Sequence, residues 1–190
     1  TTSGAQTFTA SGGINTNSTY TSAGGAITFA GNTVINDALV INTTASGATA
    51  GANVSFSGTL DSATGEANTV SITAGTSGDV TFTGLVGNTT PLGAVTIASA
   101  KDVSVDGLRA LSLTQTTGSG TTTFNTGSFS TTPQGIATTG SAGVVINNNA
   151  ITLNDSIDTT GSGVVTLNAT NGALTIAAAG DINADGAVSL

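Results

Sequence analysis

The sequence contains no cysteine, methionine, tryptophan or histidine. Without cysteine the chain forms no disulfide, and thiolate catalysis, iron–sulfur clusters and cysteine-based zinc sites are excluded. Without cysteine and methionine it also has no sulfur to oxidise. These absences are typical of a durable protein exposed at a surface, although a composition that drifted while repeats expanded would give the same result.

Charge is also scarce, and it is almost all of one sign. Lys101 and Arg109 are the two cations against ten carboxylates, which gives a formal net charge of −8. Because nucleic-acid binding depends on neutralising phosphates with Lys and Arg, the sequence predicts no nucleic-acid partner. Attraction to an anionic membrane surface fails for the same reason. No apolar run reaches the length of about eighteen residues that membrane insertion requires.

The rest of the composition favours a folded chain with a regular interior. It is 37% hydrophobic, mainly Val, Ile, Leu and Ala, and only 4% aromatic. Disorder requires low hydrophobicity, so we expect a folded core, thinner and more regular than a globular one. The first ten residues have neither a basic n-region nor an apolar h-region, which predicts that no signal peptide lies within these residues.

Short motifs made of a glycine and alternating apolar residues recur along the chain. The stronger copies begin at residues 25, 51, 78, 120, 143 and 163, and further copies begin at 93 and 172. Apart from one long gap that contains the copy at 93, the stronger copies recur with a period in the twenties. Such a period is typical of one solenoid coil made of two or three short strands.

Within each motif the apolar residues alternate, as a strand with one buried face requires. In DVTFTG, Val80 and Phe82 are predicted to point inward, and Thr81 and Thr83 outward. The same pattern predicts four more inward residues: Val70, Ile72, Val103 and Val105. Gly-Asn, Ser-Gly and Asp-Gly pairs between the motifs favour tight bends.

These patterns predict an all-β fold, a parallel β-solenoid of about seven coils of roughly 20–27 residues each, with residues 1–190 forming one solenoid. The alternative, a β-sandwich, normally has bulky aromatic core residues and does not repeat every twenty-odd positions. Coils stack about 4.8 Å apart, so like residues lie on like. This predicts inward columns of Val, Ile and Leu. It also predicts asparagine ladders at the turns, from positions of the type of Asn32, Asn53, Asn88 and Asn147.

The segment ANTVSITAGTSGDVTFTGLVGNTTPLGAVTIASAKDVSVDG, residues 67–107, resembles the β-strand repeat regions of very large bacterial surface proteins. These are the filamentous-haemagglutinin-like and autotransporter-like exoproteins, and the resemblance extends over about 67 to 190. It implies a right-handed parallel β-helix that projects from the outer membrane, hence an extracellular location at the bacterial cell surface. It implies no activity, because this chain shares with that family the amino-acid composition of the repeats and not a set of catalytic residues. The secretion domain and anchor of that family are not recognisable in the sequence.

Parallel β-helices include lyases and glycosidases, in which carboxylates can act as catalysts. Glycoside hydrolysis needs two carboxylates about 5–10 Å apart, whereas Asp102 and Asp106 lie four residues apart on one strand, roughly 13 Å. Lys101 and Arg109 beside them indicate simple charge balance. Tyr20 is the single tyrosine, so a sugar site would have few aromatic platforms. The sequence therefore predicts no enzyme and no catalytic, cofactor-binding or metal site.

Two pairs of aspartates place oxygen ligands at short spacing, as a calcium site requires. They are Asp155 with Asp158 and Asp181 with Asp185. The bidentate Glu that ends a calcium loop is missing, and so is the Gly-Gly-x-Gly-x-Asp repeat of calcium-binding β-rolls. We expect these aspartates to cap turns.

Threonine-rich strands also suggest an ice-binding array. TFT occurs at 7–9 and 81–83, and TTT at 121–123. The rank is interrupted by TFAG, SFSG and TLNA, so no continuous array is expected. Threonine is then simply a favourable outward-facing residue of a strand.

The sequence thus predicts a non-catalytic structural or adhesive protein that forms a stiff rod or filament at the bacterial surface, with a host or neighbouring cell as a further partner. No polar cap is recognisable at either end of the repeats. The chain is therefore either an excerpt from a longer adhesin or a subunit that associates end to end, its N-terminal strand around Phe8 stacking on the C-terminal coil, 173–190, of a neighbour. The alternative is a carbohydrate-binding or polysaccharide-cleaving β-helix, which needs carboxylates or aromatics gathered from separate coils.

Overall fold

A computed structural model describes residues 1–127 and 129–190. This part of the chain contains 22 strands and one short 3-10 helix, Ala45–Gly47. In chain order the strands are β1 (Gln6–Thr9), β2 (Ile14–Thr16), β3 (Thr19–Thr21), β4 (Ile27–Ala30), β5 (Thr33–Ile35), β6 (Leu39–Asn42), β7 (Val54–Phe56), β8 (Leu60–Ser62), β9 (Val70–Thr73), β10 (Val80–Phe82), β11 (Leu92–Ser99), β12 (Val103–Val105), β13 (Leu108–Gln115), β14 (Thr121–Phe124), β15 (Ile136–Thr138), β16 (Val144–Asn148), β17 (Ala150–Leu153), β18 (Ile157–Thr159), β19 (Val165–Ala169), β20 (Leu174–Ile176), β21 (Ile182–Asn183) and β22 (Val188–Ser189).

The strands form three parallel faces, which confirms the parallel β-solenoid. The first face contains β1, β4, β7, β10, β12, β14, β17 and β20. The second contains β2, β5, β8, the first half of β13, β15, β18 and β21, with Val86 bridging Leu60 and Leu108 where a coil contributes no strand. The third contains β3, β6, β9, β11, the second half of β13, β16, β19 and β22. Each coil therefore visits the three faces in turn.

The first face has eight strands in the described residues, where the sequence predicted about seven coils. Coil length varies more than expected: Val103 pairs with Thr122, 19 residues later, and Thr122 with Ile151, 29 residues later. The glycine motifs explain the difference. Those at 93, 143 and 163 lead into third-face strands, whereas β12 of the first face follows Lys101-Asp102 and has no glycine motif.

The predicted inward and outward alternation is confirmed. Val80 and Phe82 are buried, while Thr81 and Thr83 are partly or fully exposed. The other predicted inward residues, Val70, Ile72, Val103 and Val105, are buried as well. Most of the core is made of Val, Ile and Leu, as expected for a thin interior between three sheets.

The bulkiest inward column is aromatic, however, which the sequence interpretation missed. Phe8, Phe29, Phe56 and Phe82 stack along the first face, with successive ring centroids 5.2, 4.8 and 5.3 Å apart. Tyr20 packs edge-on against Phe8 at 4.7 Å and against Phe29 at 5.2 Å. The rings recur once per coil in the first four coils because in-register parallel stacking brings equivalent positions together, and Val105 follows in the same column.

Asparagine ladders do not form in the predicted way. Asn32, Asn53, Asn88 and Asn147 lie at different points of the coil, so they do not stack on one another. Isolated asparagine hydrogen bonds between neighbouring coils do occur. Asn32 Oδ1, for example, accepts a hydrogen bond from the Thr59 N–H at 3.1 Å. Asn168 Nδ2 donates to Asn147 Oδ1 at 3.1 Å, within strands rather than at a turn. A longer ladder begins at Asn53 and continues in aspartates.

The outward positions of the first face form a column of hydroxyl side chains in which Ser55 and Ser104 interrupt the threonines. One residue from each coil lies in register: Thr7, Thr28, Ser55, Thr81, Ser104, Thr123, Thr152 and Thr175. The neighbouring column, two residues further along each strand, is interrupted by Ala30 and Asp106. A two-column threonine array is therefore absent from this face.

Candidate functional site

The aspartates mainly accept hydrogen bonds from the backbone of bends. Asp61 Oδ1 accepts from the Thr89 N–H of the next coil at 2.6 Å. Asp185 Oδ2 accepts from the Ser162 N–H of the preceding coil at 3.0 Å. Asp185 thus has the turn-capping role expected of it. Among residues 1–127 and 129–190, no three His, Cys, Asp or Glu side chains are grouped as a metal site would need.

An Asn–Asp–Asp ladder forms the corner before the first face. Asn53 Oδ1 accepts from the Asp79 N–H at 2.9 Å, Asp79 Oδ1 from the Asp102 N–H at 3.4 Å, and Asp102 Oδ1 from the Thr121 N–H at 2.7 Å. Each rung thus ties one coil to the next. Lys101 Nζ lies 2.7 Å from Asp102 Oδ2 and 3.8 Å from Asp79 Oδ1, so Lys101 provides the predicted charge balance.

The same contacts shift two pKa values. Partial burial raises the pKa of Asp102, but the hydrogen bonds from Lys101 and the Thr121 N–H, together with the charge of Lys101, outweigh it and lower the pKa overall. The hydrogen bond to Asp102 and the charges of Asp102 and Asp79 raise the pKa of Lys101. Both groups therefore stay charged at neutral pH, which suits a structural ion pair rather than proton transfer.

Arg109 does not balance Asp106, as the sequence had suggested, but fastens a loop to the second face. Its Nη2 donates to the Thr131 carbonyl oxygen at 2.7 Å, to Thr131 Oγ1 at 2.8 Å and to the Pro133 carbonyl oxygen at 3.2 Å. Its Cζ lies 4.0 Å from the centroid of the Phe129 ring, in range for a cation–π contact. Phe129 is 2% exposed yet lies apart from the main core. This loop, which includes Phe129, Thr131 and Pro133, lies between Thr122 and Ile151, the longest interval between paired strands of the first face.

A cleft of about 380 Å³ lies beside this loop. Its lining includes Pro133 and Gln134 from the loop, Asp155 and Asp158 from the following coil, and Asn183 from the last coil. The structure thus brings together one of the two predicted aspartate pairs and adds amide side chains from neighbouring coils. The sequence analysis did not predict that Pro133 and Gln134 of the loop line this cleft. The one indication in the sequence was the long stretch around Pro133 that lacks a regular motif.

The carboxylates in the cleft are held by internal donors. Asp158 accepts from Ser156 Oγ at 2.7 Å and from Asn183 Nδ2 at 3.0 Å. Asp155 accepts from the Ser156 N–H at 2.7 Å and from the Gly127 N–H at 2.8 Å. Fixed carboxylate and amide groups can hydrogen-bond the hydroxyls of a neutral polar ligand. Among the described residues that line the cleft there is no aromatic ring, so they offer a sugar ring no stacking platform.

The two ends of the solenoid present open sheet edges and apolar side chains. Phe8, Ile14 and Tyr20 pack only partly against the core at the first coil. At the last coil Ile176 is 42% exposed and Val188 49% exposed. These exposures matter because β1 and β20 each have one neighbour in the sheet and one unpaired edge.

Comparisons with protein families, curated proteins and solved structures found no match for this chain. In the described residues, no helix has the length and apolarity needed to cross a membrane.

Proposed function

We propose that this chain is a stiff, non-catalytic length of β-solenoid with a structural or adhesive role at the surface of a bacterial cell. The observation that carries the proposal is the continuity of the three sheets through eight coils, with inward apolar columns that reach both end coils. The likeness of residues 67–190 to repeat regions of bacterial surface exoproteins supports the extracellular location. Either a longer polypeptide or a neighbouring copy could continue the same sheets.

End-to-end association has a definite register in this proposal. In the first face Ile151 pairs with Leu174, and Leu153 with Ile176, while Gln6 and Phe8 occupy the same columns in the first coil. A neighbouring copy that continues the sheet would therefore place Ile176 against Phe8. The apolar contact and the paired strand edges would both favour stacking.

Deleting residues 173–190 should abolish filament formation, because it removes the strand and the aliphatic side chains that meet the next copy. Electron microscopy of the purified chain and of the deletion variant would measure this. Thr175→Ala changes only an outward hydroxyl between Leu174 and Ile176, and should leave filaments intact. Circular dichroism of the deletion variant should keep its β signal. Filaments that persist after the deletion would contradict the end-to-end form of the proposal.

The intact mass of the protein from its native source, under denaturing conditions, distinguishes the two forms of the rod. A mass near 18.1 kDa would indicate a discrete subunit and make the ends polymer contacts. A much larger mass would indicate one ordered stretch of a long surface protein, in which the rod acts as a spacer.

A second candidate function is saccharide binding, and the cleft beside Pro133 supports it. Carboxylate and amide groups from three consecutive coils meet there, which is the gathering of side chains that a solenoid sugar site requires. A glycan array should then show micromolar binding that Asn183→Ala reduces about tenfold or more. Thr81→Ala, on the first face, is the matched control and should bind normally. Absence of binding to any neutral glycan would remove this candidate.

A further inference from the structure

Three polar side chains are buried inside the sixth coil, which consists of residues 121–148 and contains β14, β15 and β16. They are Thr122, Thr138 and Asn148, and each is at most 1% exposed. In a thin core made mainly of Val, Ile and Leu, such side chains replace apolar contacts. They are tolerated at little cost only where their hydrogen-bonding groups find partners.

Two of these side chains form a hydrogen-bonded chain with Gln115, the last residue of β13. Asn148 Nδ2 donates to Thr122 Oγ1 at 2.9 Å, and Thr122 Oγ1 donates to Gln115 Oε1. Gln115 is fully buried and lies between Ile97 and Ile146 in its column. The chain of hydrogen bonds ends at Gln115 Nε2, which has no acceptor among the described residues. A buried donor of this kind destabilises the fold, because it has given up its hydrogen bonds to water.

The hydroxyl of Thr138 is the other buried side-chain group without a partner among the described residues. Thr159 occupies the same column in the next coil and is buried as well. In contrast to Thr138, its Oγ1 donates to the Gly163 carbonyl oxygen at 2.7 Å and accepts from the Asp185 N–H at 3.1 Å. In the part of the chain that the structure describes, both unpaired groups therefore lie in the sixth coil or directly against it.

The sixth coil also contains the loop that leaves the repeat. β14 ends at Phe124 and β15 begins at Ile136, so this coil orders a longer irregular segment than a tight bend would require. Ordering each additional residue costs conformational entropy. The contacts of Arg109 with the loop offset part of that cost.

We propose that the sixth coil is a built-in weak point, at which the rod opens before its other internal coils do. Each coil of a solenoid is held mainly by its two neighbours, so the stack is least stable where the contacts of one coil are poorest. Unpaired buried groups and a long loop meet in this one coil. Local opening of such a segment needs less free energy than unfolding of the whole chain.

The orientation of the hydrogen bonds gives this weak point a mechanical consequence, which rests on the surface rod proposed above. Hydrogen bonds between coils run along the rod, so a pull on its two ends loads the coils in series. The weakest coil then yields first. Unfolding of residues 121–148 would lengthen the rod from one coil spacing of about 4.8 Å to as much as about 95 Å.

Native-state hydrogen exchange, resolved by peptide mass spectrometry, tests the opening directly. The third coil, residues 54–73 with β7, β8 and β9, is the matched comparison. It is third from one end of the eight-coil stack, as the sixth coil is third from the other, so fraying from the ends alone would give both coils equal rates. We expect the amides of β14 and β16 to exchange at least about tenfold faster than those of β7 and β9.

Thr138→Val separates the polar interior from the loop as the cause. Valine has nearly the shape of threonine and leaves no protein partner of the hydroxyl unpaired, so exchange in the sixth coil should slow about fivefold or more, with the third coil unchanged. Thr159→Val is the matched control in the next coil. It removes two hydrogen bonds and should speed exchange there. Circular dichroism should show the same β signal for both variants.

Equal exchange rates for the third and sixth coils of the wild-type chain would overturn the proposal. A rate in the sixth coil that Thr138→Val leaves unchanged would contradict it as well. Faster exchange in that variant would mean that the hydroxyl stabilises the coil through a trapped water, and this too would count against a weak point. Because exchange is measured on the isolated chain, these outcomes do not depend on whether the rod lies at a cell surface.

Discussion

Phe56→Ala is expected to reduce the free energy of unfolding by about 3–5 kcal/mol, the usual cost of truncating a buried phenylalanine. The ring of Phe56 is fully buried and lies between Phe29 and Phe82, nearly parallel to both, with interplanar angles of 5° and 8°. The adjacent rings belong to strands held in register by hydrogen bonds, so they cannot move in to close the gap. Urea unfolding followed by circular dichroism would measure the loss.

Because each coil contacts mainly its neighbours, the effect of Phe56→Ala on unfolding depends on which coil contains the cavity as well as on the size of the cavity. A cavity in the third coil weakens the junction between the coils on either side, so the unfolding curve should broaden or divide into two steps. Ser55→Ala alters an outward residue of the same strand, removes only the hydrogen bond that Ser55 Oγ donates to Thr28 Oγ1 at 3.1 Å, and should cost about 1 kcal/mol or less. Phe56→Leu keeps most of the volume and should cost less than Phe56→Ala. A loss below about 1 kcal/mol for Phe56→Ala would contradict a rigid aromatic column.

The architecture was predictable because it depends on patterns that repeat. The alternation at Val80–Phe82 and at Val103–Val105 specifies strands with one buried side, and stacking of equivalent strands is the simplest way to bury it. The number of coils was harder to obtain, since the glycine motifs at 143 and 163 mark the third face while those at 25 and 51 mark the first. The periodic sequence pattern predicts where strands occur, but it does not predict which of the three faces each strand joins.

The aromatic column could have been predicted from the sequence. Phe8, Phe29, Phe56 and Phe82 each occupy the second inward position of a first-face strand, although aromatic residues make up only 4% of the chain. The cleft could not have been predicted in the same way. It depends on a loop that leaves the repeat and is held by Arg109 through backbone carbonyl groups, and such contacts have no periodic signature.

Gly51→Ala is expected to be nearly as damaging as loss of the phenylalanine ring, although it adds a single methyl group. Gly51 has φ +66°, a conformation that costs a residue with a side chain about 1–2 kcal/mol. A Cβ at this position would also overlap the carbonyl oxygen of Ala74 in the next coil and approach Gly75 Cα to 3.0 Å. Since both obstacles are backbone, the two coils must separate, which adds about 1–3 kcal/mol.

Gly47→Ala separates these two causes. Gly47 also has a positive φ, +84°, in the same bend, but a Cβ there would meet no atom within 4 Å. Its replacement should therefore cost only the conformational part, about 1 kcal/mol, against about 2–5 kcal/mol for Gly51→Ala. Equal losses in urea unfolding would mean that the coils can move apart at this corner without cost. The larger loss at Gly51 would instead show that close backbone contact between coils, and not the bend alone, requires glycine.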